Sequence, residues 1–266
     1  MLDAHCHIDA PAFDADRAEA LERARRAGVR GFVLGGVDPP GWSRQAALAL
    51  AHADVHVSYG LHPWTVTAAH DDARLDALLA DLDAALDAPE PVRPVALGEI
   101  GLDRATAAGK RSTARQERAF RVQLAMARDR DLPVVLHIVR AYGRALELLS
   151  ADGLPRAGGQ VHAWSGSPEL VPRFAGLGLR ISFAATVLRP GSAPARSVAA
   201  VPPDHLLVET DAPDQPAPDR AGTRNEPAFL GATVACVAEL RGQTSDAIAA
   251  LTERNARQLF GLREAA

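Results

Sequence analysis

The chain has 266 residues, a formal net charge of −4, 47% hydrophobic positions and 23% charged positions. This composition is typical of a globular protein and excludes collagen-like, disordered and membrane-embedded chains. No apolar run approaches the roughly 18 residues that a membrane-spanning helix needs, so we expect no membrane association. The only cysteines are Cys6 and Cys236, which predicts a chain without disulfides in a reducing cytoplasm.

Short apolar segments alternate with longer helical patterns along the chain. Eight segments are typical of buried strands: Leu2–Ile8, Gly31–Val37, Val55–Leu61, Pro94–Leu102, Pro133–Val139, Gly159–Trp164, Leu179–Phe183 and Leu206–Thr210. Between them, apolar residues recur every three or four positions, as in Asp14–Ala27 and Leu75–Leu86. The sequence therefore predicts helices that alternate with strands.

Further helices are predicted from capping signals and apolar periodicity. The run Thr113–Gln116 is typical of a capping box and predicts a helix that continues to about Asp131. Two short helices, Thr244–Ala250 and Glu253–Phe260, are expected near the end of the chain.

The alternation also indicates the fold class. Strands that are apolar almost throughout indicate parallel strands buried on both faces. Eight strand–helix units in 266 residues predict an α/β fold, a (β/α)8 TIM barrel that forms a single domain over residues 1–266. A doubly wound open sheet is the alternative. Three stretches that follow strands are predicted to be loops at the C-terminal rim of the barrel, where active sites are built: 104–112, 186–197 and 212–225.

Two histidines end the first predicted strand, in the run Asp3-Ala-His5-Cys-His7. Alternate side chains of a strand lie on one face, so His5 and His7 are expected to converge. Two imidazoles at this spacing can hold one transition-metal ion, although such pairs also occur as packed or surface histidines. The same alternation turns Cys6 to the other face, where we expect a small buried hydrophobic side chain.

Other polar side chains occupy the same relative position, the C-terminal end of a predicted strand. Glu99 lies on the fourth strand, and four residues end the third, fifth, sixth and eighth strands: His62, His137, His162 and Asp211. A charged or imidazole side chain within an apolar strand is costly unless it is paired or binds a metal ion. One such residue could be a satisfied polar core group. Together with the histidines of the first strand, however, polar residues stand at equivalent depth on six strands, and this predicts a metal centre.

The number of candidate ligands favours two divalent ions. Four histidines and two carboxylates exceed what one tetrahedral site needs, and paired ions require a bridging anion. The single lysine, Lys110, falls in a predicted polar loop rather than on a strand, which excludes a carboxylated lysine as the bridge. Glu99 is then the natural bridge. Asp211 can hold one ion and accept a proton from the attacking water.

These residues lie in a series of short motifs that covers nearly the whole chain. The motifs are Asp3-Ala-His5-Cys-His7, Gly60-Leu-His62-Pro-Trp64, Gly98-Glu99-Ile-Gly-Leu-Asp103, Leu132-Pro-Val-Val-Leu-His137, His162-Ala-Trp-Ser-Gly-Ser167, Glu209-Thr-Asp211-Ala-Pro213, Arg224-Asn-Glu-Pro227 and Asn255-Ala-Arg-Gln-Leu-Phe260. In this order they resemble the TatD-type metal-dependent hydrolases, a branch of the amidohydrolase superfamily.

The resemblance implies a role for each matched position. It implies that His5, His7 and Asp211 hold one ion, that His137 and His162 hold the second, and that Glu99 bridges them. It places His62 against the scissile phosphate or behind the ligands, and Asn225 and Glu226 at the rim beside the eighth strand. We expect His62, Trp64 and Asn225 to contact the substrate.

The resemblance also implies the reaction. Members of the family are TIM barrels that use divalent ions, with Mg²⁺, Zn²⁺ and Mn²⁺ as the candidates here. They hydrolyse phosphodiester bonds of single-stranded or nicked DNA, often as exonucleases from a 3′ end, and deacylation of D-aminoacyl-tRNA is also attributed to them. We therefore expect a deoxyribonuclease whose substrate is DNA, with partner proteins in a repair or defence system as a further expectation.

Two tryptophans follow predicted site histidines. Trp64 and Trp164 could stack on nucleobases, as aromatic side chains do in single-strand binders, or pack against the barrel rim. Several arginines could form an electrostatic path for a nucleic-acid backbone. They are the arginines within 103–115, together with Arg189, Arg220 and Arg224.

The sequence departs from the family pattern only in the predicted substrate rim. Arg104-Ala105 replaces the usual aromatic residues, Val139 stands where the family has arginine, and Ala184 replaces a glycine. These departures motivate one alternative, an amide, ester, lactone or D-aminoacyl-tRNA hydrolase. A second alternative is a non-catalytic interaction subunit of a nucleic-acid processing or defence complex, and the complete ligand set argues against it.

Overall fold

A computed structural model describes residues 1–263. The chain divides into two compact units. The first unit comprises Met1–Leu34 with the chain from His162 onward, and the second unit comprises Gly35–Val161. Among the described helices, none combines the length and the hydropathy needed to cross a bilayer.

The strands follow the predicted ones closely. Within residues 1–263 they are β1 Asp3–Cys6, β2 Phe32–Leu34, β3 Val55–His56, β4 Ser58–Tyr59, β5 Ala96–Asp103, β6 Val134–Val139, β7 Gly159–Val161, β8 Leu179–Phe183 and β9 Leu206–Val208. The third predicted strand, Val55–Leu61, is wrong as one element. It is interrupted at Val57, whose carbonyl accepts a hydrogen bond from Val95 N at 2.9 Å.

Helices connect these strands. Within the same residues they are α1 Arg17–Arg26, α2 Pro39–Ala51, α3 Pro63–Ala68, α4 Asp72–Leu86, α5 Ala107–Arg111, α6 Thr113–Arg130, α7 Tyr142–Asp152, α8 Val171–Ala175, α9 Ala193–Ser197, α10 Leu230–Arg241 and α11 Ser245–Phe260. The predicted helices Asp14–Ala27 and Leu75–Leu86 are confirmed with shifted starts, as α1 and α4.

Two loop predictions and one prediction of a pair of helices are wrong in detail. The stretches 104–112 and 186–197 are not only loop, because α5 and α9 lie in them, and Lys110 is an exposed residue of α5. The two short terminal helices are one continuous helix, α11, in which Thr252 Oγ1 donates to Ile248 O at 2.8 Å. This bond satisfies the hydroxyl inside the helix, so threonine does not end it.

The predicted capping box at Thr113–Gln116 is also wrong. The helix α6 begins at Thr113, but its N-cap is Ser112, which makes no side-chain capping bond. Gln116 is used elsewhere, because its Oε1 accepts from Asp103 N at 2.8 Å and its Nε2 donates to Asp103 O at 3.1 Å. The Gln116 side chain is therefore bonded to Asp103, and it does not cap the start of α6.

In the first unit, parallel pairs form between β1 and β2 and between β8 and β9. The chain after β9 continues beside β1, since Asp211 N donates to His5 O at 3.0 Å and His7 N donates to Ala212 O at 2.7 Å. Large apolar side chains are fully buried here, including Trp164, Phe32 and Phe183. Each contributes on the order of 1.5–3 kcal/mol through burial.

In the second unit, β4, β5, β6 and β7 form consecutive parallel pairs. The register between β5 and β6 shifts between Gly98 and Ile100, so Glu99 is an extra residue on its strand. Such a bulge bends the strand and changes the direction of a side chain. The position of Glu99 is thereby set by strand pairing and not by simple alternation.

Replacing Gly98 by alanine is expected to destabilise the protein, because close strand approach requires this glycine. An added Cβ would lie 2.5 Å from Val135 Cβ and 2.7 Å from Val135 O. Overpacking of this kind lowers the free energy of unfolding by about 1–3 kcal/mol. For a protein of this size, each kcal/mol lowers Tm by about 2–4 °C. The matched control is Gly143→Ala in α7, where nothing lies within 4 Å of the added Cβ. Equal Tm values for the two variants would contradict the prediction.

Candidate metal-binding clusters

Three predicted ligands of the first unit converge on one point. His5 Nε2 lies 3.3 Å from His7 Nε2, and the two nitrogens lie 3.7 Å and 3.6 Å from Asp211 Oδ1. A point equidistant from these three atoms lies about 2 Å from each, the length of a bond between a transition-metal ion and imidazole nitrogen or carboxylate oxygen. The residues present therefore fit a metal ion, and we call them the first cluster.

His162 lies beside the first cluster. Its ring centroid is 4.2 Å from that of His5, and His5, His162 and Asp211 offer ligand atoms within 4.8 Å of one another. Its Nδ1 lies 3.5 Å from Glu209 Oε1, a buried carboxylate that also accepts from Ala163 N at 2.6 Å. A carboxylate behind an imidazole fixes the orientation of the ring and the position of its proton.

Asp211 is held in a specific conformation and charge state. Its φ of 56° lies in the left-handed region, where a non-glycine residue needs support from its surroundings. Gln215 Nε2 donates to its Oδ2 at 2.5 Å, which leaves Oδ1 facing the two histidines. Burial raises the pKa of Asp211, but the nearby His7, His162 and His5 lower it further, to about 2. Asp211 is therefore a carboxylate at neutral pH.

The second unit holds a second cluster, formed by His62, Glu99 and His137. His137 Nδ1 lies 3.3 Å from Glu99 Oε2 and 3.1 Å from His62 Nε2, and His62 Nε2 lies 3.7 Å from Glu99 Oε2. All three side chains are buried. By distance alone, three ligand atoms are in place for an ion.

The hydrogen bonding of His62 defines which of its ring nitrogens carries the proton. Trp64 N donates to His62 Nδ1 at 3.0 Å. Because a backbone N–H only donates, Nδ1 carries no proton, and the proton of the neutral ring is on Nε2. His62 therefore faces Glu99 and His137 as a hydrogen-bond donor, which suits contact with an anionic substrate better than metal coordination.

Asp103 contacts the second cluster, and the sequence alone did not single it out as a site residue. Its Oδ2 accepts from Trp64 Nε1 at 2.7 Å and lies 3.3 Å from His137 Nε2, while its Oδ1 accepts from Ala105 N at 2.7 Å. Burial raises the pKa of Asp103, but the contacts with His137, Ala105 N and Trp64 together hold it below the usual range. An ionised Asp103 keeps the proton of His137 on Nε2 and leaves Nδ1 unprotonated, the state that metal binding by an imidazole requires. The available signal was its place at the end of Gly98–Asp103.

Substituting asparagine for Asp103 is expected to reduce metal affinity or activity by about 10–100-fold. The amide has one acceptor oxygen and no charge, so its NH2 group would face either Ala105 N or the two donors His137 Nε2 and Trp64 Nε1. Metal titration of the variant measures this directly. Trp64→Phe is the comparison, since it removes only one donor to Asp103 and is expected to keep metal affinity. Unchanged affinity and activity in Asp103→Asn would contradict the role given to this carboxylate.

The structure separates the two tryptophans. Trp164 is fully buried and packs edge-to-face on Phe174 with ring centroids 5.6 Å apart. Trp64 is 59% exposed, and its ring centroid lies 4.6 Å from that of His62. Only Trp64 is therefore available for contact with a substrate.

Asn225 is buried and ties the chain after β9 together. Its Nδ2 donates to Thr210 O and Asp214 O, each at 2.8 Å, and its Oδ1 accepts from Glu226 N at 2.9 Å. These contacts support the backbone on both sides of Asp211. The substrate contact expected for Asn225 stays a prediction.

Two of the arginines predicted to guide a nucleic acid are engaged within the protein. Arg224 pairs with Asp16 at 2.6 Å and with Glu226 at 2.8 Å, and Arg220 stacks on the Phe229 ring at 4.0 Å from its centroid.

Cys6 is buried, and burial raises the pKa of its thiol, in agreement with an unreactive packed side chain.

Known proteins with similar sequences are named as metal-dependent hydrolases or as exonucleases. The family described as "TatD related DNase" matches residues 2–261. An uncharacterized metal-dependent hydrolase of Escherichia coli K12, YjjV, is 35% identical over 263 residues, which is 98% of each chain. The 3'-5' ssDNA/RNA exonuclease TatD of Klebsiella pneumoniae is 34% identical over 268 residues, again 98% of each chain.

Solved structures agree with these matches. The crystal structure of E. coli YjjV superposes with a TM-score of 0.91 at 34% identity, covering 99% of this chain and 98% of that one. An amidohydrolase from Saccharomyces cerevisiae, 18% identical, shares the fold with a TM-score of 0.83. The predicted (β/α)8 fold class is thereby confirmed, while the single domain over residues 1–266 stays a prediction. The chain belongs to the TatD-related DNase family.

Proposed function

We propose that this protein is a metal-dependent hydrolase that cleaves phosphodiester bonds of single-stranded nucleic acid from a 3′ end. The observation that carries the proposal is the first cluster, whose three donor atoms surround a point at metal-bond distance. The K. pneumoniae relative supports the substrate, since its name gives single-stranded DNA and RNA.

The metal content belongs to the proposal as well. We propose two divalent ions, one held by His5, His7 and Asp211 and one held by residues that include His137. The assignment of His162 to the second ion and of Glu99 to the bridge stays a prediction. Imidazole-rich sites favour a transition-metal ion such as Zn²⁺ over Mg²⁺, which prefers oxygen ligands, and the carboxylates also suit Mn²⁺.

Divalent ions bound here would polarise the phosphoryl oxygens and lower the pKa of an attacking water. Asp211 accepts the proton of that water, since it is ionised at neutral pH and Gln215 holds its carboxylate in place. His62 donates its Nε2–H to the charge that develops on the phosphate. Asp103 keeps His137 oriented.

The first test follows the length of end-labelled single-stranded DNA over time with Mg²⁺, Mn²⁺, Zn²⁺ or EDTA. Stepwise shortening from the 3′ end that requires a metal ion and stops in EDTA is the expected result. The matched variants are Glu99→Gln and Glu147→Gln, the latter an exposed carboxylate of α7. Only Glu99→Gln is expected to lose activity.

Two other outcomes would replace the proposal. Tightly bound metal with inert DNA and RNA, but turnover of an ester, lactone, amide or aminoacyl-tRNA, would assign the clusters to another hydrolase. Little bound metal, together with cellular function that survives His137→Ala, would favour an interaction subunit. The cytoplasmic location and the partner proteins of a repair or defence system stay predictions.

A further inference from the structure

We propose that a groove in the second unit binds the phosphate backbone of a single-stranded polynucleotide whose end lies at Trp64. The inference rests on the proposed function and adds a binding site for the rest of the strand. The groove has a volume of about 490 Å³ and lies where α3, α5 and α6 meet. We call it the arginine groove, and six of its residues carry the argument: Thr67, Asp72, Arg111, Ser112, Arg115 and Arg118.

The charge of the arginine groove suits a polyanion. Three guanidinium groups face one carboxylate, Asp72, among its lining residues. Arg118 pairs with Asp76 and lies 3.7 Å from Asp72, while Arg115 donates to the carbonyls of Ala69 and His70. A net positive charge therefore remains in the groove after these ion pairs are counted. Arginine side chains that neutralise phosphates supply much of the affinity of a protein for single strands.

Arg111 contributes most directly to this excess. It is exposed in the last turn of α5, and within residues 1–263 its side chain makes no hydrogen bond or ion pair. Arginine presents a planar fork of donors that matches a phosphate group in two-point contact. Arg111 can therefore bind a phosphate without breaking an existing contact.

The floor of the arginine groove is polar and fixed. Thr67 Oγ1 and Ser112 Oγ lie 2.8 Å apart, and Gln116 Nε2 lies 3.1 Å from the first and 3.0 Å from the second. The same Gln116 is hydrogen-bonded to the backbone of Asp103, the residue that holds His137. The groove and the second cluster are thus joined by one rigid hydrogen-bond network.

Trp64 connects the groove with the second cluster at the surface. It lies on α3, three residues before Thr67, so the two side chains are neighbours one helical turn apart. Its ring is exposed, but its Nε1 is anchored on Asp103. An exposed aromatic ring that is held rigid is a stacking surface for a nucleobase, and a strand stacked there continues naturally into the groove.

Equilibrium binding of a 5′-fluorescein-labelled oligodeoxythymidylate tests this path. Its 3′-terminal linkages are phosphorothioates, so the full metal-loaded chain binds it with little cleavage, and fluorescence anisotropy gives Kd at several salt concentrations. We expect Arg111→Gln/Arg118→Gln to raise Kd about tenfold or more and to lower the slope of log Kd against log salt by about 1.4. Asp72→Asn removes the opposing charge and is expected to tighten binding.

A matched control lies on the same helix. Arg121→Gln removes the same charge three residues after Arg118, but Arg121 pairs with Asp152 at 3.3 Å and does not line the groove. It is expected to leave Kd and the salt slope unchanged. Arg111→Lys/Arg118→Lys retains the charge and is expected to restore the slope, which separates the electrostatic effect from a folding defect.

Trp64 has its own readout. Trp64→Ala is expected to raise Kd by about 5–150-fold, the equivalent of one lost stacking contact, and to abolish the preference for a 3′-terminal base over a 3′-terminal abasic site. Trp64→Phe keeps a ring and is expected to keep that preference. If Trp64→Ala retains it, the strand end does not lie at Trp64.

The results distinguish this inference from the proposed function. If the wild type cleaves DNA while the double glutamine variant binds with an unchanged Kd and salt slope, the arginine groove is overturned and the nuclease stands. Equal weakening by Arg121→Gln also overturns it. If the wild type and its variants bind as expected but the all-phosphodiester oligonucleotide is never shortened, the groove stands and the nuclease fails.

Discussion

Asp211→Asn is expected to lower kcat for DNA cleavage by roughly 10³–10⁴-fold, which is at the upper end of the range for removal of a general acid–base group. The substitution keeps the size of the side chain and its hydrogen bond with Gln215, but it removes the negative charge. Asp211 is the one carboxylate of the first cluster, and its Oδ1 lies 3.7 Å from His5 Nε2 and 3.6 Å from His7 Nε2. Both the ion and the proton acceptor are affected.

Metal analysis separates these two contributions. If the variant keeps its ions and loses turnover, the role of Asp211 as proton acceptor dominates; if an ion is lost, its role as ligand dominates. Asp219→Asn is the control, because it removes the same charge from an exposed position in the same loop. Activity of Asp211→Asn within tenfold of the wild type would contradict both roles.

The second large effect is expected at His62. His62→Asn is expected to lower kcat by roughly 10²–10³-fold, the loss that follows removal of one donor to a developing oxyanion. The Oδ1 atom of asparagine takes the place of Nδ1 and still accepts from Trp64 N, so α3 keeps its cap. The Nε2–H that faces Glu99 and His137 is lost.

The pair of variants His62→Asn and His62→Gln tests the protonation argument. The amide nitrogen of glutamine reaches the place of Nε2 and donates as the imidazole does, so His62→Gln is expected to retain more activity than His62→Asn. Both variants are expected to keep the metal content of the wild type. A loss of one ion in both would show that His62 is a ligand, as the distances alone allow. His70→Gln, at an exposed position, is the control.

Much of the site could be predicted from the sequence because its chemistry lies at strand ends. An imidazole or carboxylate in an apolar strand is costly without a partner, so each such residue can be recognised from the sequence alone. His5, His7 and Asp211 were predicted to share an ion, and the structure brings their donor atoms together. The family match over residues 2–261 confirms the identity that the motif order indicated.

Other features needed contacts between residues far apart in the chain. The sequence could not show that Trp164 is buried against Phe174 while Trp64 remains exposed, because both follow a strand-end histidine. It could not show that Gln116 leaves its predicted capping role for Asp103. In both cases the local sequence is compatible with two arrangements of the side chain, and contacts with distant residues select one of them.

The sequence by itself determined the strand–helix alternation, the fold class and the residue types at the strand ends, since these follow from apolar periodicity and from the cost of burying charge. Only the tertiary structure decided which nitrogen of each histidine faces a cluster, that Glu99 sits on a bulge of β5, and that Asp103 supports His137. Those properties depend on strand register and on hydrogen-bond partners from distant segments. A register shift of one residue changes the face on which a side chain lies, without changing the local sequence at all.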